Sequence, residues 1–395
     1  MLRYLLLTLS FFSLAVFGND QPILMVIGTR PEALKMIPLY KELKKRKIDV
    51  VLLSTGQHRE LLDQVFTIFD LKPDIDLKLM KTNQDIFYLT SEVMNETKKV
   101  IQSINPSLVL VQGDTTTAFS SALAAFYLNI PVAHIEAGLR SGNDLLPFPE
   151  EMNRQVISRL ATYHFAPTKL AKKQLLAENI DSSTIFVTGN TILDSLFYIE
   201  KEISSGKISP SNSIVQQVQQ TKNLDGKICL FTVHRRESIN SGLEKIYHAI
   251  NLLLDKYPYL YIVYPIHPNP NIHKAFNQCS LKNHPRIYSC DPLNYVDLVY
   301  LLSQSDLVAT DSGGIQEEAI SLGKPTLVLR NQTDRKDAEI NEAYFLGGTS
   351  PETILPQFDN LLKSLNYNNR PSFIYGSGIS SELIAEQLVI LNLIN

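Results

Sequence analysis

From Gln21 onward, short apolar runs alternate with amphipathic segments along the chain. This alternation is typical of repeated strand–helix units, which form a mostly parallel sheet. The run Ile23–Ile27 predicts a first buried strand, and a turn containing Pro31 then leads into a helix that reaches about Lys45. Four further strands are predicted at Val50–Ser54, Leu108–Gln112, Val132–Glu136 and His164–Ala166. Because most of these runs are uniformly apolar, both faces of the sheet are expected to be covered.

A polar, serine-rich stretch around residues 201–225 separates this series from a second one. The second series begins at Lys227 and predicts strands at Ile228–Val233, Tyr261–Ile266, Asp306–Thr310 and Pro325–Leu329. The sequence therefore predicts an α/β protein with two Rossmann-like, doubly wound domains that face a central cleft. We expect the domains to cover residues 21–188 and 189–374. The segment Ser381–Leu393 has helical periodicity, and a helix at about 375–395 is expected to pack back on the first domain.

Composition narrows the function. A length of 395 residues favours two domains, and a net charge of −3 provides no basic field for nucleic acid. An anionic substrate must then be held by a few placed cations and backbone N–H groups. Cys229, Cys279 and Cys290 show neither a paired framework nor metal-ligand spacing, so we interpret them as structural. The chain lacks the CxxC, HExxH, Walker A and GxSxG patterns, and neither a metal site nor a cofactor is predicted.

The segment Met1–Asp20 carries Arg3 and then an apolar run from Tyr4 to Phe17. It resembles a signal peptide or a short anchor, and the alternative is a non-native upstream start before a cytoplasmic enzyme. We exclude it from the fold prediction. For the folded unit we expect no membrane association, and we favour a cytoplasmic location.

The strongest single motif is the stretch 310–319, TDSGGIQEEA. It follows an apolar strand and opens a helix, so Ser312, Gly313 and Gly314 place unobstructed N–H groups at a helix N-terminus, where a diphosphate binds well. Glu318 lies about a turn and a half further on and is expected to accept hydrogen bonds from both ribose hydroxyls. The alternative is a glycine-rich turn with an exposed carboxylate.

Cations from the first half are expected to face the same anion. Arg30 and Lys35 follow the first strand, in the stretch GTRPEALK, and lie near the predicted mouth of the cleft. Alone this signal is weak, because arginine and lysine at helix starts are usually solvated. The phosphate motif on the opposite wall strengthens it.

Three carboxylates lie at strand ends or in the loops that follow them in the first half. Asp114 follows Leu108–Gln112, Glu136 ends the next strand, and Glu150 opens a helix after Pro149. Such a group is typical of acid–base machinery that removes a proton from carbon. Asp114 has a second interpretation as an N-cap of the following helix, and an acid at Glu150 is favourable for the helix dipole in any case.

Two histidines end strands of the second half, His234 in VHRRE and His267 in PIHP. Each is expected to point into the cleft, where it donates to a phosphate oxygen or assists a leaving group. The alternative for each is a structural histidine bonded to a nearby carbonyl.

These motifs, in this order, resemble the non-hydrolysing UDP-N-acetylglucosamine 2-epimerases. The resemblance runs from about Ile23 to Leu346 and rests on seven blocks: GTRPEALKMIPL, TGQHRELLDQVF, VQGDTTTAFSSALAAFYLNIPVAHIEAGLRSG, PFPEEMNR, VTGNTILDSL, TVHRRES and TDSGGIQEEAISLGKPTLVLR. It implies the fold of the GT-B glycosyltransferases and a cytoplasmic homodimer that makes UDP-N-acetylmannosamine for surface polysaccharides. The implied reaction eliminates UDP across C1–C2 to give 2-acetamidoglucal, then re-adds UDP, without a redox cofactor.

The resemblance also implies residue roles. Asp114, Glu136 and Glu150 become the acid–base candidates, and His234 the critical histidine near the diphosphate. Phosphate binding falls to Arg30, Lys35, Ser312, Gly313 and Gly314, and ribose binding to Glu318. The remaining contacts to the sugar nucleotide fall to His267, Arg154 and Arg335.

Three departures from the family pattern stand out. The usual TERPE block is Thr333–Asp337 here, which keeps Arg335, lacks the proline and shortens both acids. Leu298 stands where many relatives have an aromatic residue. Some bacterial members bind a second substrate molecule as an activator through motifs like QHRQ and KERQ. The corresponding candidates here are Gln57, His58 and Gln84, but Asn83 replaces the arginine, so we expect weak or absent activation.

Other functions remain open at this stage. A hydrolysing 2-epimerase would share the elimination and release free N-acetylmannosamine. An epimerase of a UDP-2,3-diacetamido uronic acid is a second possibility, and the altered 333–337 loop leaves room for it. A GT-B glycosyltransferase and a non-catalytic sugar-nucleotide sensor come from other classes, and the acid-rich first half favours proton chemistry over both.

Overall fold

A computed structural model describes residues 21–56, 59–81, 84–235, 242–340, 344–365, 370–391 and 393. The first half is a sheet of seven parallel strands in the order β3-β2-β1-β4-β5-β6-β7. Its strands are β1 (Ile23–Ile27), β2 (Val50–Ser54), β3 (Ile75–Asp76), β4 (Leu108–Gln112), β5 (Val132–Ile135), β6 (Tyr163–Ala166) and β7 (Ile185–Val187). Its helices are α1 (Arg30–Lys45), α2 (Arg59–Ile68), α3 (Ile86–Ile104), α4 (Thr116–Tyr127), α5 (Glu150–Leu160) and α6 (Lys169–Ala177).

The second half is a sheet of six parallel strands in the order β10-β9-β8-β11-β12-β13. Its strands are β8 (Lys227–Thr232), β9 (Leu260–Pro265), β10 (Ile287–Cys290), β11 (Leu307–Thr310), β12 (Thr326–Val328) and β13 (Tyr344–Leu346). The helices from the crossover onward are α7 (Ile192–Ser204), α8 (Ile214–Asn223), α9 (Leu243–Lys256), α10 (Pro270–Gln278), α11 (Tyr295–Gln304), α12 (Gly313–Ser321), α13 (Pro351–Ser364) and α14 (Ser380–Ile390). Short 3₁₀ turns occur at Ser182–Thr184, Ser280–Asn283 and Lys336–Ile340.

Local sequence explains why α1 begins where it does. Thr29 has an extended backbone and caps the helix, and Glu32 reaches back to the cap, which gives a reciprocal capping box. Pro31 occupies the first turn, where its missing N–H costs no hydrogen bond. This cap fixes the direction in which α1 leaves the carboxyl end of β1.

Two crossings connect the halves. Helix α7 packs against α1 of the first half and against α11 and α12 of the second. After α13 the chain returns, and α14 packs on α1 and α7. Asp194 in α7 accepts hydrogen bonds from the backbone N–H of Ser380 (3.2 Å) and of Ser381 (2.7 Å), so it caps α14. Helix α14 therefore lies against both α1 and the crossover helix α7, and the domain boundaries stay a prediction.

One hydrophobic cluster extends across the crossing. It includes Met25 and Leu110 of the first sheet, Leu196 of α7, and Leu230 and Val308 of the second sheet. Because these buried side chains form one cluster, the halves share part of their core. In the described ranges, no helix is both long and apolar enough to cross a membrane.

Candidate active site

The carboxyl ends of β4 and β5 bring two predicted acids together. The strands pair in parallel with Gln112 opposite Ile135, so Asp114 and Glu136 emerge at the same edge of the sheet. Glu136 has a φ of +64°, in the left-handed region that residues with a side chain rarely adopt. Backbone strain of this kind costs about 1–3 kcal/mol and concentrates at functional sites. The chain therefore holds the Glu136 carboxylate in place at an energetic cost.

Glu136 is buried between two cations. The Lys35 ammonium contacts Oε2, and the amide of Gln112 donates to the same oxygen at 2.6 Å. The guanidinium of Arg335, from the second half, donates to Oε1 at 3.3 Å. Lys35 was expected to face a phosphate, and in this structure its ammonium group forms an ion pair with Glu136.

Asp114 pairs with an arginine of α5. The Arg154 guanidinium lies 2.7 Å (Nε) and 2.6 Å (Nη2) from Oδ2 of Asp114. The N-cap interpretation of Asp114 is wrong: Thr115 caps α4, accepting from the N–H of Ala118 at 3.0 Å. Because Thr115 supplies the cap, the Asp114 carboxylate is not used at the helix N-terminus and pairs with Arg154 instead.

The start of α5 carries two acids with different surroundings. Glu150 opens the helix, and its Oε2 is buried without a hydrogen-bond partner among the described residues. Glu151 is fully buried and accepts from the N–H of Ser141 and from Arg154 Nη1, both at 3.0 Å. Glu150 thus has an oxygen free to bond a ligand, whereas Glu151 orients Arg154.

The second half supplies the predicted helix N-terminus. Strands β8 and β11 pair with Thr232 opposite Thr310, so His234 and Ser312 leave adjacent strand ends. Ser312 precedes the first residue of α12, and nothing lies within 4 Å of a Cβ built on Gly314. A Cβ on Gly313 would lie 3.1 Å from the Arg335 guanidinium. The first turn of α12 therefore offers open N–H groups beside a cation, an arrangement that suits an anion.

Glu318 lies deeper in α12 and is almost fully buried. It accepts a hydrogen bond from the Tyr295 hydroxyl at 2.7 Å. Burial raises the pKa of Glu318 to about 7, opposed by the Tyr295 hydrogen bond. Arg30 lies close enough to interact with this carboxylate, and it donates to the carbonyl of Leu293 at 3.1 Å. Burial lowers the pKa of Arg30, so this guanidinium is desolvated at the boundary between the halves.

The two predicted histidines stack on each other. Their ring centres are 5.6 Å apart with an interplanar angle of 21°. His234 Nδ1 lies 3.1 Å from Asp311 Oδ1, and the backbone N–H groups of His234 and Arg235 donate to the same carboxylate. Burial lowers the pKa of His267, and His234 lowers it further. Asp311, which the sequence did not single out, fixes His234 beside the N-terminus of α12.

The loop 333–337 holds the most concentrated ion pairs of the site. Asp334 is fully buried and contacts guanidiniums of Arg154 (3.0 Å), Arg330 (3.2 Å) and Arg335 (2.8 Å). Burial alone would raise the pKa of Asp334, but Arg335 and Arg154 hold it well below its usual range. Arg335 also donates to Glu317 at 2.6 Å. The ion pairs of Asp334 with Arg154 and of Glu317 with Arg335 were not predicted, because local sequence patterns do not report contacts between residues 180 and 18 positions apart.

The chain is similar to known proteins along most of its length. A family model described as UDP-N-acetylglucosamine 2-epimerase matches residues 41–389. The UDP-N-acetylglucosamine 2-epimerase of Campylobacter jejuni is 42% identical over 374 residues, which cover 93% of this chain and 97% of the relative. The enzyme of that name from Escherichia coli K12 is 41% identical over 371 residues, or 93% and 98% of the two chains. The chain belongs to the UDP-N-acetylglucosamine 2-epimerase family.

Solved structures of the family agree with this assignment. The Neisseria meningitidis UDP-GlcNAc 2-epimerase bound to UDP-GlcNAc has a TM-score of 0.86 at 41% identity and covers 93% of this chain and 100% of its own. The Methanocaldococcus jannaschii enzyme in complex with UDP-GlcNAc and UDP has a TM-score of 0.80 at 32% identity, with coverages of 93% and 99%. The predicted fold class, two parallel α/β sheets in a GT-B-like arrangement, is confirmed.

Other predicted epimerase features have mixed outcomes. Gln57 and His58 lie outside the described residues, and Gln84 accepts from the N–H of Lys81 at 3.1 Å. Leu298 is partly buried on α11 against the shared hydrophobic cluster. Within the described ranges, no group of three or more histidine, cysteine, aspartate or glutamate side chains could hold a metal ion.

Proposed function

We propose that this protein interconverts UDP-N-acetylglucosamine and UDP-N-acetylmannosamine by reversible elimination and re-addition of UDP. The observation that supports this most directly is the strained, buried Glu136 carboxylate, held between Lys35 and Arg335 at the carboxyl end of β5. A carboxylate fixed in this way is suited to proton transfer at carbon. Membership of the epimerase family supplies the sugar nucleotide as the substrate class.

The acids are assigned to the sugar. A carboxylate among Asp114, Glu136 and Glu150 takes the proton from C2, and the C2–H electron pair becomes the C1=C2 double bond as the C1–O bond breaks. UDP leaves with the electrons of that bond, and 2-acetamidoglucal remains. Protonation of C2 from the opposite face and re-addition of UDP at C1 complete the inversion without a net change in protons.

The second half is assigned to the leaving group. Charge develops on UDP as the C1–O bond breaks, and fixed donors at that position lower the barrier. The N–H groups at the start of α12 and the His234 ring, held by Asp311, converge there. Arg30 reaches the same region from the first half, beside Glu318. Glu318 is assigned to the ribose.

We infer that the enzyme is non-hydrolysing, so that UDP is retained until it re-adds. Ion pairs and hydrogen bonds join the halves across the cleft at Asp334–Arg154, Arg335–Glu136 and Asp337–Thr168 (3.0, 3.3 and 2.8 Å), which favours a closed site. NMR of the products decides between the classes. UDP-N-acetylmannosamine as the first product supports the proposal, whereas free N-acetylmannosamine with UDP would identify a hydrolysing enzyme.

A homodimer in the cytoplasm remains part of the proposal, since UDP-sugars are made there. Light scattering of the purified protein measures the oligomeric state, and a mass near 44.5 kDa, that of one chain, would argue against a dimer.

Incubation with UDP-N-acetylglucosamine in deuterated water tests the chemistry. We expect deuterium at C2 of both UDP-sugars, because protonation draws on solvent-exchanged carboxyl groups. Glu136→Gln is the matched variant, since it keeps the size of the side chain and removes its charge. Its rate of deuterium exchange at C2 should be about 10²–10⁴-fold lower than that of the unmodified protein. Unlabelled substrate without product from the unmodified protein would overturn the proposal.

A further inference from the structure

A series of ion pairs that includes two residues of the second half connects Asp114 and Glu136, the acids at the ends of β4 and β5. Asp114 contacts Arg154 at 2.7 Å, and Arg154 contacts Asp334 at 3.0 Å. Asp334 contacts Arg335 at 2.8 Å, and Arg335 reaches Glu136 at 3.3 Å. Negative and positive groups alternate along this series, which we call the Asp114–Glu136 ion chain.

Asp334 is the middle member of the Asp114–Glu136 ion chain. Its side chain has 0% exposure, so it has no access to a substrate in the cleft. Its Oδ2 contacts both Arg154 and Arg335, and Oδ1 contacts Arg330. A carboxylate between two guanidiniums sets the distance between them, because charge-assisted contacts are short and directional. The positions of Arg154 and Arg335 in turn limit where Asp114 and Glu136 can lie.

We propose that Asp334 is a positioning residue that sets the separation of Asp114 and Glu136 and ties that separation to closure of the two halves. This inference rests on the proposed function. Arg154 belongs to the first half and Arg335 to the second, so the Asp114–Glu136 ion chain is complete only when the two halves are in contact. Asp334 acts through Arg154 and Arg335 and does not itself take or give a proton.

Two observations separate this role from ordinary structural burial. The ion chain ends on two acids at strand ends facing the proposed sugar site, not on surface groups. Among the described residues, Asp334 forms no hydrogen bond or ion pair with Gly314 or Glu318, which are assigned to the nucleotide. Removing the Asp334 charge should therefore change turnover more than UDP affinity. A misplacement of about 1 Å in a reacting group costs about 10²-fold in rate.

The test compares Asp334→Asn with Asp334→Glu and with Asp337→Asn. Asp337 lies in the same loop and also joins the halves, through Thr168 at 2.8 Å, but it is outside the ion chain. Each variant is assayed for kcat and KM with UDP-N-acetylglucosamine, for UDP affinity by calorimetry and for Tm. We expect Asp334→Asn to lower kcat about 100-fold with UDP affinity within about threefold. Asp334→Glu, which keeps the charge, should restore kcat to within about tenfold of the unmodified protein. Asp337→Asn keeps a side-chain oxygen that can accept from Thr168, so it should lower kcat much less than Asp334→Asn does.

The inference fails if Asp334→Asn keeps near-normal kcat, or if its UDP affinity falls in proportion to kcat. If Asp334→Asn does not fold, Arg154→Lys is tested in its place. Lysine has a single ammonium group, which cannot replace the guanidinium that joins Asp114 to Asp334. A normal kcat in folded Arg154→Lys also overturns the inference. If the unmodified protein forms no epimer at all, the proposed function fails and the inference with it. A normal epimerase that tolerates Asp334→Asn would defeat the inference alone.

Discussion

At the scale of single residues, the site combines strain with burial of charge. Glu136 has a left-handed backbone, and Glu318 and Glu317 are carboxylates whose pKa burial raises to about 7. None of these features stabilises the fold by itself, since each has an energetic cost. They are consistent with a site whose residues are held for chemistry.

The strain at Glu136 can be measured with two substitutions that both remove the carboxylate. Glu136→Gly relieves the left-handed backbone at φ +64°, whereas Glu136→Ala retains it. We expect the glycine variant to be more stable by about 1 kcal/mol in urea unfolding, although glycine also makes the unfolded chain more flexible. Both variants should lack epimerase activity. Higher stability of the alanine variant would show that the backbone at this position is unstrained.

Glu318 provides a pH-dependent test of stability. Its pKa rises on folding from 4.5 to about 7. Well below pH 4.5 the Glu318 carboxyl group is protonated in both the folded and the unfolded state. As the pH rises from 4.5 through 7, the unfolded state is favoured, because the carboxyl group ionises more easily in the unfolded chain. Glu318→Gln should therefore be more stable than the unmodified protein by up to about 3 kcal/mol at pH 8, with little difference near pH 4.5.

Urea unfolding at pH 5, 6.5 and 8 measures the difference, and a difference that does not vary with pH would contradict the assignment. The same variant should bind UDP more weakly, because an amide oxygen is a poorer acceptor for ribose hydroxyls than a carboxylate.

At the scale of elements, the strand–helix units were largely predictable. The bounds of β1, α1, β2 and β4 agree with the sequence prediction, because each apolar run ends at a turn residue or at a helix cap. β5 ends one residue earlier than expected, at Ile135, since Glu136 leaves the extended region. The short strands β3, β7, β10 and β13 were not predicted, because runs of two to four residues are too short to show a pattern.

The site was predictable in its members and not in its pairings. Strand ends and glycine placement pointed to Glu136 and Gly313, which local sequence encodes. The pairing of Lys35 with Glu136, and of Arg154 with Asp334, joins residues 101 and 180 positions apart. The first pair depends on how α1 packs beside the end of β5, and the second on how the two halves meet. No local periodicity reports either contact.

The N-terminus of α12 gives a prediction about two neighbouring glycines. A methyl group on Gly314 meets nothing within 4 Å, so Gly314→Ala should fold normally and gain up to about 1 kcal/mol from helix propensity. It should nevertheless weaken UDP binding about tenfold or more, because the methyl group occupies space above the N–H groups. Gly313→Ala should instead displace Arg335 and lower kcat.

Calorimetry with UDP and thermal melts separate these effects. An unchanged UDP affinity in Gly314→Ala would show that the diphosphate does not bind at the N-terminus of α12.

At the scale of the whole molecule, α14 and the shared hydrophobic cluster connect the two halves. Leu388 on α14 is fully buried, whereas Val389 beside it is 40% exposed. We expect Leu388→Ala to lower the free energy of unfolding by about 2–5 kcal/mol, and Val389→Ala by about 0.5 kcal/mol or less. Because the cluster spans both sheets, the loss should shift one cooperative transition. Circular dichroism during urea unfolding would reveal two separate transitions if the halves are independent.

The contacts of the 333–337 loop have a consequence for solvent access to the proposed sugar site. Any separation of the halves breaks Asp334–Arg154 and Arg335–Glu136 together, since each pair has one member on each side. Water can therefore reach the sugar only after Glu136 has lost Arg335 and Arg154 has lost Asp334. Exposure of the sugar to solvent and disruption of the Asp114–Glu136 ion chain thus become a single event.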